Sequence, residues 1–217
     1  MKYKYVIWDW NGTLLDDVAL SVEIFNKMCL YFAIPTISLE TYRRDFKFPV
    51  IKFYEEHGYD FSKIDFQKVG HFYVSEYNKR RFHCKLHKGV VEVMSALQAA
   101  GCGQSILSAY EQNFLLKCVL RFELDRFMDC VYGLDNVLAG SKVERGKSLM
   151  AELGANPLET IIVGDTDHDK AVADALGTDC ALLSVGHICR ENLEKLGAPV
   201  FDSHLELIEY LREPSAE

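Results

Sequence analysis

The stretch Tyr5-Val6-Ile7-Trp8-Asp9-Trp10-Asn11-Gly12-Thr13 places an acid directly after a short apolar run. The run predicts a buried β-strand, and Asn11 and Gly12 predict the turn that ends it because both residue types tolerate positive φ. Open α/β sheets bind ligands where such strands end. We therefore expect Asp9 to be a nucleophile or a metal ligand, with the turn offering amides to an anion. The alternative is a strand followed by an ordinary Asx turn.

Short apolar runs alternate with amphipathic segments along much of the chain, a pattern typical of a parallel sheet covered on both faces. The expected fold class is a Rossmann-like three-layer α/β/α core. Besides the first strand, we predict strands at 104–107, 127–132, 160–163 and 180–183, and helices at 18–32, 90–97, 112–120, 142–153, 171–176 and 205–211.

The segment 17–82 differs in composition from the rest of the chain. It is dense in Tyr and Phe, is interrupted by Pro49 and Gly58, and shows no alternating strand pattern. We expect several short amphipathic helices there, packed on one another. The predicted organisation is an α/β core at 1–16 plus 83–217 and an inserted helical domain at 17–82.

Composition limits the class of protein. The net charge of −8 argues against a nucleic-acid partner, which favours a basic stripe, although a local pocket can still bind an anion. The seven cysteines contain no Cys-x-x-Cys pair and predict reduced thiols in a cytoplasmic protein; a catalytic cysteine is the alternative, but no local signature marks one. No signal peptide and no apolar run of about 18 residues is present, so we expect no membrane association.

Polar residues follow three of the predicted strands: Asp9, then Ser108, then Asp165 with Asp169. The carboxyl ends of parallel strands share one edge of a sheet, so we expect these side chains to converge. Carboxylates placed together repel each other unless a cation lies between them. Hard oxygen ligands suit Mg²⁺, and a nearby lysine would make the site ready for a phosphate.

Taken together, these residues resemble the motifs of the haloacid dehalogenase superfamily, on its phosphatase side. Asp9-Trp10-Asn11-Gly12-Thr13 is similar to the first motif, Asp-x-Asp-Gly-Thr, except at one position. Ser108 and Lys142 match the second and third motifs, and Gly164-Asp165-Thr166-Asp167-His168-Asp169 matches the fourth, Gly-Asp-x-x-x-Asp. The segment 17–82 resembles the helical cap of the phosphoglycolate phosphatase branch.

The resemblance implies a Mg²⁺-dependent phosphatase acting on a small phosphorylated metabolite, with phosphoglycolate as the named candidate, in a monomer or homodimer. Asp9 would form an aspartyl-phosphate. The implied catalytic residues are Asp9, Asn11, Ser108 and Lys142. The implied metal ligands are Asp9, the Asn11 carbonyl, Asp165 and Asp169. The implied phosphate-binding residues are Gly12, Thr13, Ser108, Ala109 and Lys142, with Arg43 as a possible contact from the cap.

Asn11 departs from the motif at the position where the superfamily keeps an aspartate as general acid and base. An amide can hydrogen-bond but cannot exchange a proton at neutral pH, and general acid–base assistance contributes about 10²–10⁴-fold. We expect slow turnover, a preference for good leaving groups, or a proton carrier such as Asp16, Asp17 or His168. A nearly inactive phosphate-binding protein and a haloalkanoate dehalogenase are the alternative functions; the acidic pair of the fourth motif argues against the latter.

Several positions have simpler interpretations. Ser108 could merely cap the next helix. Lys147 rivals Lys142, but the longer spacing from Lys142 to Asp165 leaves room for a helix and a strand. Arg43 lies in a basic cluster that could be a solvated helix face or could present a cation to an anionic substrate. The histidines other than His168 show no metal-ligand spacing, and we expect surface or structural roles: His57, His71, His83, His87, His187 and His204.

Overall fold

The computed structural model describes residues 1–134 and 142–212. Its strands are β1 Tyr5–Trp8, β2 Leu15–Asp16, β3 Lys85–Leu86, β4 Gly103–Glu111, β5 Cys130–Leu134, β6 Thr160–Gly164, β7 Asp179–Leu183 and β8 Val200–Phe201. Within the described residues, six of them form one parallel sheet in the order β5-β4-β1-β6-β7-β8, and β2 pairs with β3 in an antiparallel ladder. The predicted parallel α/β sheet is confirmed.

Helices cover both faces of this sheet. They are α1 Val18–Tyr31, α2 Leu39–Asp45, α3 Val50–Glu56, α4 Phe66–Arg80, α5 Val90–Ala99, α6 Gln112–Arg121, α7 Lys142–Leu153, α8 Asp167–Leu176, α9 Arg190–Leu193 and α10 His204–Arg212. Alternate strand residues point to opposite faces: Val6 and Trp8 pack with α5, α6 and α10, whereas Ile7 packs with α7, α8 and α9. The core therefore has the three layers expected from the sequence. None of the described helices is both long and apolar enough to cross a bilayer.

The register of the sheet sets the position of the polar strand ends. Trp8 in β1 is level with Ile106 in β4 and Val163 in β6. Asp9 follows Trp8 directly, and its amide donates to the Val163 carbonyl at 2.8 Å. Ser108 and Asp165 each come two residues after these paired positions, so all three side chains reach the same edge.

Helices α1 to α4 pack around a hydrophobic cluster of their own, which includes Phe25, Phe53 and Tyr77. The chain enters this helical segment through β2 and returns through β3, where Asp16 pairs with Lys85. The separate cluster and the paired strands support the proposed division into a core domain and a cap, although the division itself stays a prediction.

The short elements were not predicted from the sequence, and some predicted boundaries differ from those in the structure. β2, β3, β8 and α9 span only two to four residues, too few to show a period. The strand predicted at 127–132 begins after Asp129, whose Oδ2 accepts a hydrogen bond from the Gln104 amide (3.0 Å). β4 runs past Ser108 to Glu111 with irregular pairing. α8 begins at Asp167 because Thr166 and Asp169 form a capping box.

Candidate active site

Lys142 joins two carboxylates at the carboxyl edge of the sheet. Its Nζ lies 2.6 Å from Asp9 Oδ1 and 2.5 Å from Asp169 Oδ1, and all three side chains are buried. The lysine is the first residue of α7, and Asp169 lies in the first turn of α8. The other oxygen of Asp169 accepts hydrogen bonds from Thr166 Oγ1 and from the amides of Asp165 and Thr166. Asp169 is therefore held rigidly in place and orients the lysine.

The three carboxylates carry more negative charge than the lysine can balance. Ligand oxygens of Asp9, Asp165 and Asp169 lie within 4.8 Å of one another. Burial and then repulsion from Asp169 raise the pKa of Asp9 to about 7, although Lys142 offsets part of the effect. Burial also raises the pKa of Asp165 to about 6. For Lys142, burial opposes the charged form, but Asp169 and Asp9 outweigh it and raise the lysine pKa.

These residues fit a divalent cation. Three ionised carboxylates and one ammonium leave two negative charges in a buried site, and hard oxygen donors suit Mg²⁺. Asp165 is held for such a role, since its Oδ1 accepts from Thr13 Oγ1 (2.7 Å) and its Oδ2 accepts from the His187 amide (2.7 Å). Backbone packs closely around it: a Cβ on Gly12, which has φ +72°, would lie 2.3 Å from Asp165 Oδ2. Only glycine fits there.

Asn11 is bound by a network that joins core and cap. Its Nδ2 donates to Asp17 Oδ2 (2.7 Å) and to the Tyr77 hydroxyl (2.6 Å). The Tyr77 hydroxyl also donates to Asp17 Oδ2 (2.6 Å). Both hydrogen bonds from the Asn11 amide therefore stay within the protein. Of the proton carriers considered from sequence, Asp16 is exposed, while Asp17 is buried in this network.

Sequence reasoning missed His187, which was expected to be a surface or structural residue. The side chain is buried, with Nε2 3.4 Å from Asp17 Oδ1 and Nδ1 3.0 Å from the Tyr42 hydroxyl. Burial opposes the charged form of the imidazole, but Asp17 outweighs burial and raises the His187 pKa. Asp17 responds in the opposite direction: burial opposes its ionisation, yet His187 lowers its pKa. No local sequence signal predicts that His187 contacts Asp17 and Tyr42, because the three residues are far apart in the chain: His187 follows β7, Asp17 precedes α1 and Tyr42 lies in α2.

A cavity of about 280 Å³ lies between the sheet edge and the cap. Its floor includes Asp9, Asn11, Ser108, Ala109 and Lys142. Ser108 is buried, lines the cavity, and accepts a hydrogen bond from the Tyr110 amide at its Oγ (3.1 Å). It does not cap the next helix, because the N-cap of α6 is Glu111, whose side chain accepts from the amides of Asn113 and Phe114. Aromatic and aliphatic side chains of the cap form most of the opposite wall.

Three residues predicted to bind phosphate do not line this cavity. The Gly12 amide already donates to the Leu15 carbonyl (3.0 Å) and to Asp17 Oδ1 (2.8 Å). The Thr13 hydroxyl is used by Asp165. The Arg43 guanidinium donates to the carbonyls of Gly186 (2.8 Å) and Ser184. These groups therefore shape the site or fasten the cap rather than face a substrate.

The structure also shows where the other residues considered from the sequence lie, namely Lys147, His168 and Asp167. Lys147 is exposed and pairs with Glu144 at 2.8 Å, whereas Lys142 is the lysine that contacts Asp9 and Asp169. His168 lines the cavity, and its ring packs on Phe48 with 4.8 Å between centroids. Burial lowers the pKa of His168. Asp167 begins α8, as expected for an acid near a helix N-terminus.

Comparisons with known proteins agree with this geometry. A family model described as a haloacid dehalogenase-like hydrolase matches residues 6–183. The Pyrophosphatase PpaX of Bacillus cereus (strain AH820) is 27% identical over 190 residues, which are 85% of this chain and 84% of that protein.

Two solved structures resemble the whole chain. A predicted phosphatase from Clostridium acetobutylicum has a TM-score of 0.81 at 21% identity and covers 97% of this chain and 99% of its own. A predicted phosphoglycolate phosphatase from Haemophilus somnus 129pt has a TM-score of 0.77 at 16% identity, with 98% and 99% covered. At these identities the likeness shows a shared fold.

Proposed function

Because the chain belongs to the haloacid dehalogenase-like hydrolase family, we propose that it is a phosphatase that hydrolyses a small organic phosphate monoester with Mg²⁺. The observation that carries the proposal is Lys142, whose ammonium bridges Asp9 and Asp169 on the floor of the cavity. A transferred phosphoryl group spreads negative charge over its oxygens, so positioned cations do most of the work of catalysis.

Asp9 is the nucleophile in this proposal. Lys142 holds Oδ1 and favours the ionised form, which leaves Oδ2 to attack phosphorus. A bond forms between Oδ2 and phosphorus, the bond from phosphorus to the ester oxygen breaks, and that oxygen leaves with the electron pair as an oxyanion, which takes a proton from water. Water then attacks the aspartyl-phosphate, which releases phosphate and regenerates Asp9.

The other residues bind and orient. Ser108 and Ala109 line the cavity together with Asp9 and would bind the phosphoryl oxygens, whose charge Lys142 would balance. Asp9, the Asn11 carbonyl and Asp165 would hold the metal, with Asp169 as a further ligand or as the residue that orients Lys142. When bound, Mg²⁺ supplies positive charge that neutralises the transferring phosphoryl group.

Asn11 supports a second candidate function, a phosphate-binding protein with little turnover. The amide carries no proton that it can transfer, and Asp17 and Tyr77 already hold it. The two candidates share the floor of the cavity and differ only in rate, so a rate measurement separates them.

The test is phosphate release from a panel of monoesters with purified protein, with Mg²⁺ and with a chelator. We expect metal-dependent release that Asp9→Asn lowers by at least about 10³-fold, since no nucleophile remains. Asp16→Asn, which removes a nearby exposed carboxylate, is the matched control. Metal-dependent binding without release would favour the binding protein. Phosphate release that survives the chelator would contradict the proposed role of Mg²⁺, and halide release from a haloalkanoate in the presence of the chelator would favour the dehalogenase alternative.

We also propose a cytoplasmic location. All seven cysteines are free thiols, which suits a reducing compartment. Fractionation of cells that express the chain would test this, and recovery outside the cytoplasm would contradict it.

A further inference from the structure

The wall of the cavity opposite Asp9 is apolar. It is built by cap side chains that include Phe25, Phe46, Phe48, Phe53 and Val69. Phe46 packs against Phe48 and Phe53 with centroids 5.7 and 5.4 Å apart. A substrate whose phosphate lies over Asp9 must therefore place its alcohol part against aromatic rings.

Several of the polar atoms that reach this cavity are already used within the protein. The Tyr42 hydroxyl bonds His187, the Tyr73 hydroxyl donates to Ser21 Oγ (2.8 Å), and Lys142 is shared by two carboxylates. Arg43, the cation expected to meet a second anionic group, donates to backbone carbonyls outside the cavity. Among the described residues that line it, none of the cations is left to pair with a substrate carboxylate, and burying an unpaired charge there is costly.

The size of the cavity limits the alcohol. About 280 Å³ lies at the small end of ligand sites, which commonly measure roughly 300–1,000 Å³ for drug-sized molecules. Part of that space must hold the phosphoryl group. The remainder suits a single ring better than a nucleoside or a peptide.

Asn11 restricts the leaving group independently of shape. Its Nδ2 is held by Asp17 and Tyr77, and both ring nitrogens of His187 are engaged by Asp17 and Tyr42. Neither of these groups presents a proton to the departing oxygen, and the ring of His168, which also lines the cavity, packs on Phe48 of the cap. A phenol such as the tyrosine side chain has a pKa near 10 and can leave as an anion, whereas an alkyl alcohol needs a proton.

From these two observations we propose that the substrate is an aryl phosphate, a phosphate ester of a phenol with one apolar ring and no second anionic group. This inference rests on the proposed phosphatase function. It departs from phosphoglycolate, whose carboxylate the apolar wall would exclude and whose alkoxide Asn11 could not protonate.

The experiment compares kcat/KM for phenyl phosphate, benzyl phosphate, phosphoglycolate and pyrophosphate in the presence of Mg²⁺. Benzyl phosphate and phosphoglycolate both release primary alcohols, so their ratio reports the cavity wall; we expect at least tenfold in favour of benzyl phosphate. Phenyl and benzyl phosphate both carry a ring, so their ratio reports the missing acid; we expect at least 10²-fold in favour of phenyl phosphate. Equal or faster hydrolysis of phosphoglycolate or pyrophosphate overturns the inference. No metal-dependent activity on any of the four instead overturns the phosphatase function.

Two variants test the same halves of the inference. Phe48→Ala removes a ring from the cavity mouth and should raise KM for phenyl and benzyl phosphate about tenfold without a matching change for phosphoglycolate. Phe82→Ala, at a similarly exposed position outside the cavity, is its control (42% exposed against 36%).

Asn11→Asp would set a carboxyl beside Asp17, where repulsion keeps one of the two protonated. The phenyl-to-benzyl ratio should then fall at least tenfold, and an unchanged ratio overturns the leaving-group argument.

Discussion

The two sides of the cavity are built from opposite chemistry. On the sheet side, Lys142 forms salt bridges with Asp9 and Asp169 at 2.6 and 2.5 Å. The register of the parallel strands brings these groups to one edge of the sheet. On the cap side, rings such as Phe46 and Phe53 pack 5–6 Å apart and leave few polar atoms exposed to the cavity. In the proposed function, the sheet side would act on the phosphoryl group and the cap side would select the alcohol.

The two sides of the cavity should also differ in how strongly a substitution affects them. Ionised groups at the sheet edge act as a unit, since removing one leaves the others buried and unbalanced. Apolar side chains in the cap contribute mainly by area and fit, so their loss should be graded. Predictions about the two sides should therefore differ in size, with the largest effects at the sheet edge.

After Asp9→Asn, replacing the bridging lysine gives the largest expected effect on the rate. Lys142→Met keeps the volume of the side chain but leaves Asp9 and Asp169 facing each other without a cation between them. We expect kcat to fall about 10²–10³-fold, as for loss of one donor to a developing charge. Steady-state kinetics would measure this, with thermal unfolding to verify that the variant is folded.

Lys147→Met is the matched control for that substitution, because it removes an exposed lysine of the same helix that pairs with Glu144. It should retain most of the wild-type rate. Equal losses in the two variants would remove the basis for assigning the phosphate-binding lysine to Lys142.

Much of the sheet side could be predicted from the sequence, and the physical reason is topological. Parallel strands share one carboxyl edge, so the acids that follow β1 and β6 had to meet the Ser108 hydroxyl, which lies just past the β4 residues that pair with β1. The fold class expected from the alternation of strands and helices is confirmed, and so are the family and the hydrolase class expected from the resemblance of the motifs. The roles of the individual site residues stay proposals.

The cap side could not be predicted in the same way. Its helices carry no spacing rule that fixes how they lie over the sheet, so Arg43 was expected in the cavity and instead fastens the cap to carbonyls after β7. His187, Tyr42 and Tyr77 come from three separate elements, and none has a local signal that it joins Asp17 and Asn11.

Arg43 tests how the two sides are held together. Arg43→Met removes charge-assisted hydrogen bonds to two backbone carbonyls, each of which contributes on the order of 1.5–3 kcal/mol. With the cap less firmly seated, we expect KM to rise about tenfold for every phosphate ester in a substrate panel.

Arg44→Met is the control, since Arg44 is exposed and pairs with its neighbour Asp45. A loss in Arg43→Met that is confined to carboxylated substrates would contradict a fastening role and restore the earlier interpretation of Arg43 as a substrate-binding cation. A similar rise in KM for both variants would show that the effect is one of general surface charge.

Two buried histidines differ in whether an ionised partner lies beside them, and their pKa values are shifted in opposite directions. His187 at the cavity has Asp17 as an ionised partner, and its pKa is raised despite burial. His204 lies in the core near Trp8 and His87, with ring centroids 6.2 and 5.9 Å away, and its Nε2 has no hydrogen-bond partner. Burial, and then the nearby His87, lower the pKa of His204 to about 3.

His204 gives the smallest expected effect, on stability rather than on rate. A histidine in the unfolded chain titrates near pH 6.5, so between pH 6.5 and about 3 the unfolded state binds more protons and the free energy of unfolding falls as the pH is lowered. The slope from one group is at most about 1.4 kcal/mol per pH unit. His204→Asn should remove that slope, so denaturant unfolding from pH 7 to 4 should show the wild type losing stability relative to the variant.

His71→Asn, at an exposed position of α4, controls for loss of a histidine. A difference between wild type and His204→Asn that stays constant with pH would mean that the buried ring takes up its proton without cost, and that the core behind β1 tolerates charge as the sheet edge does.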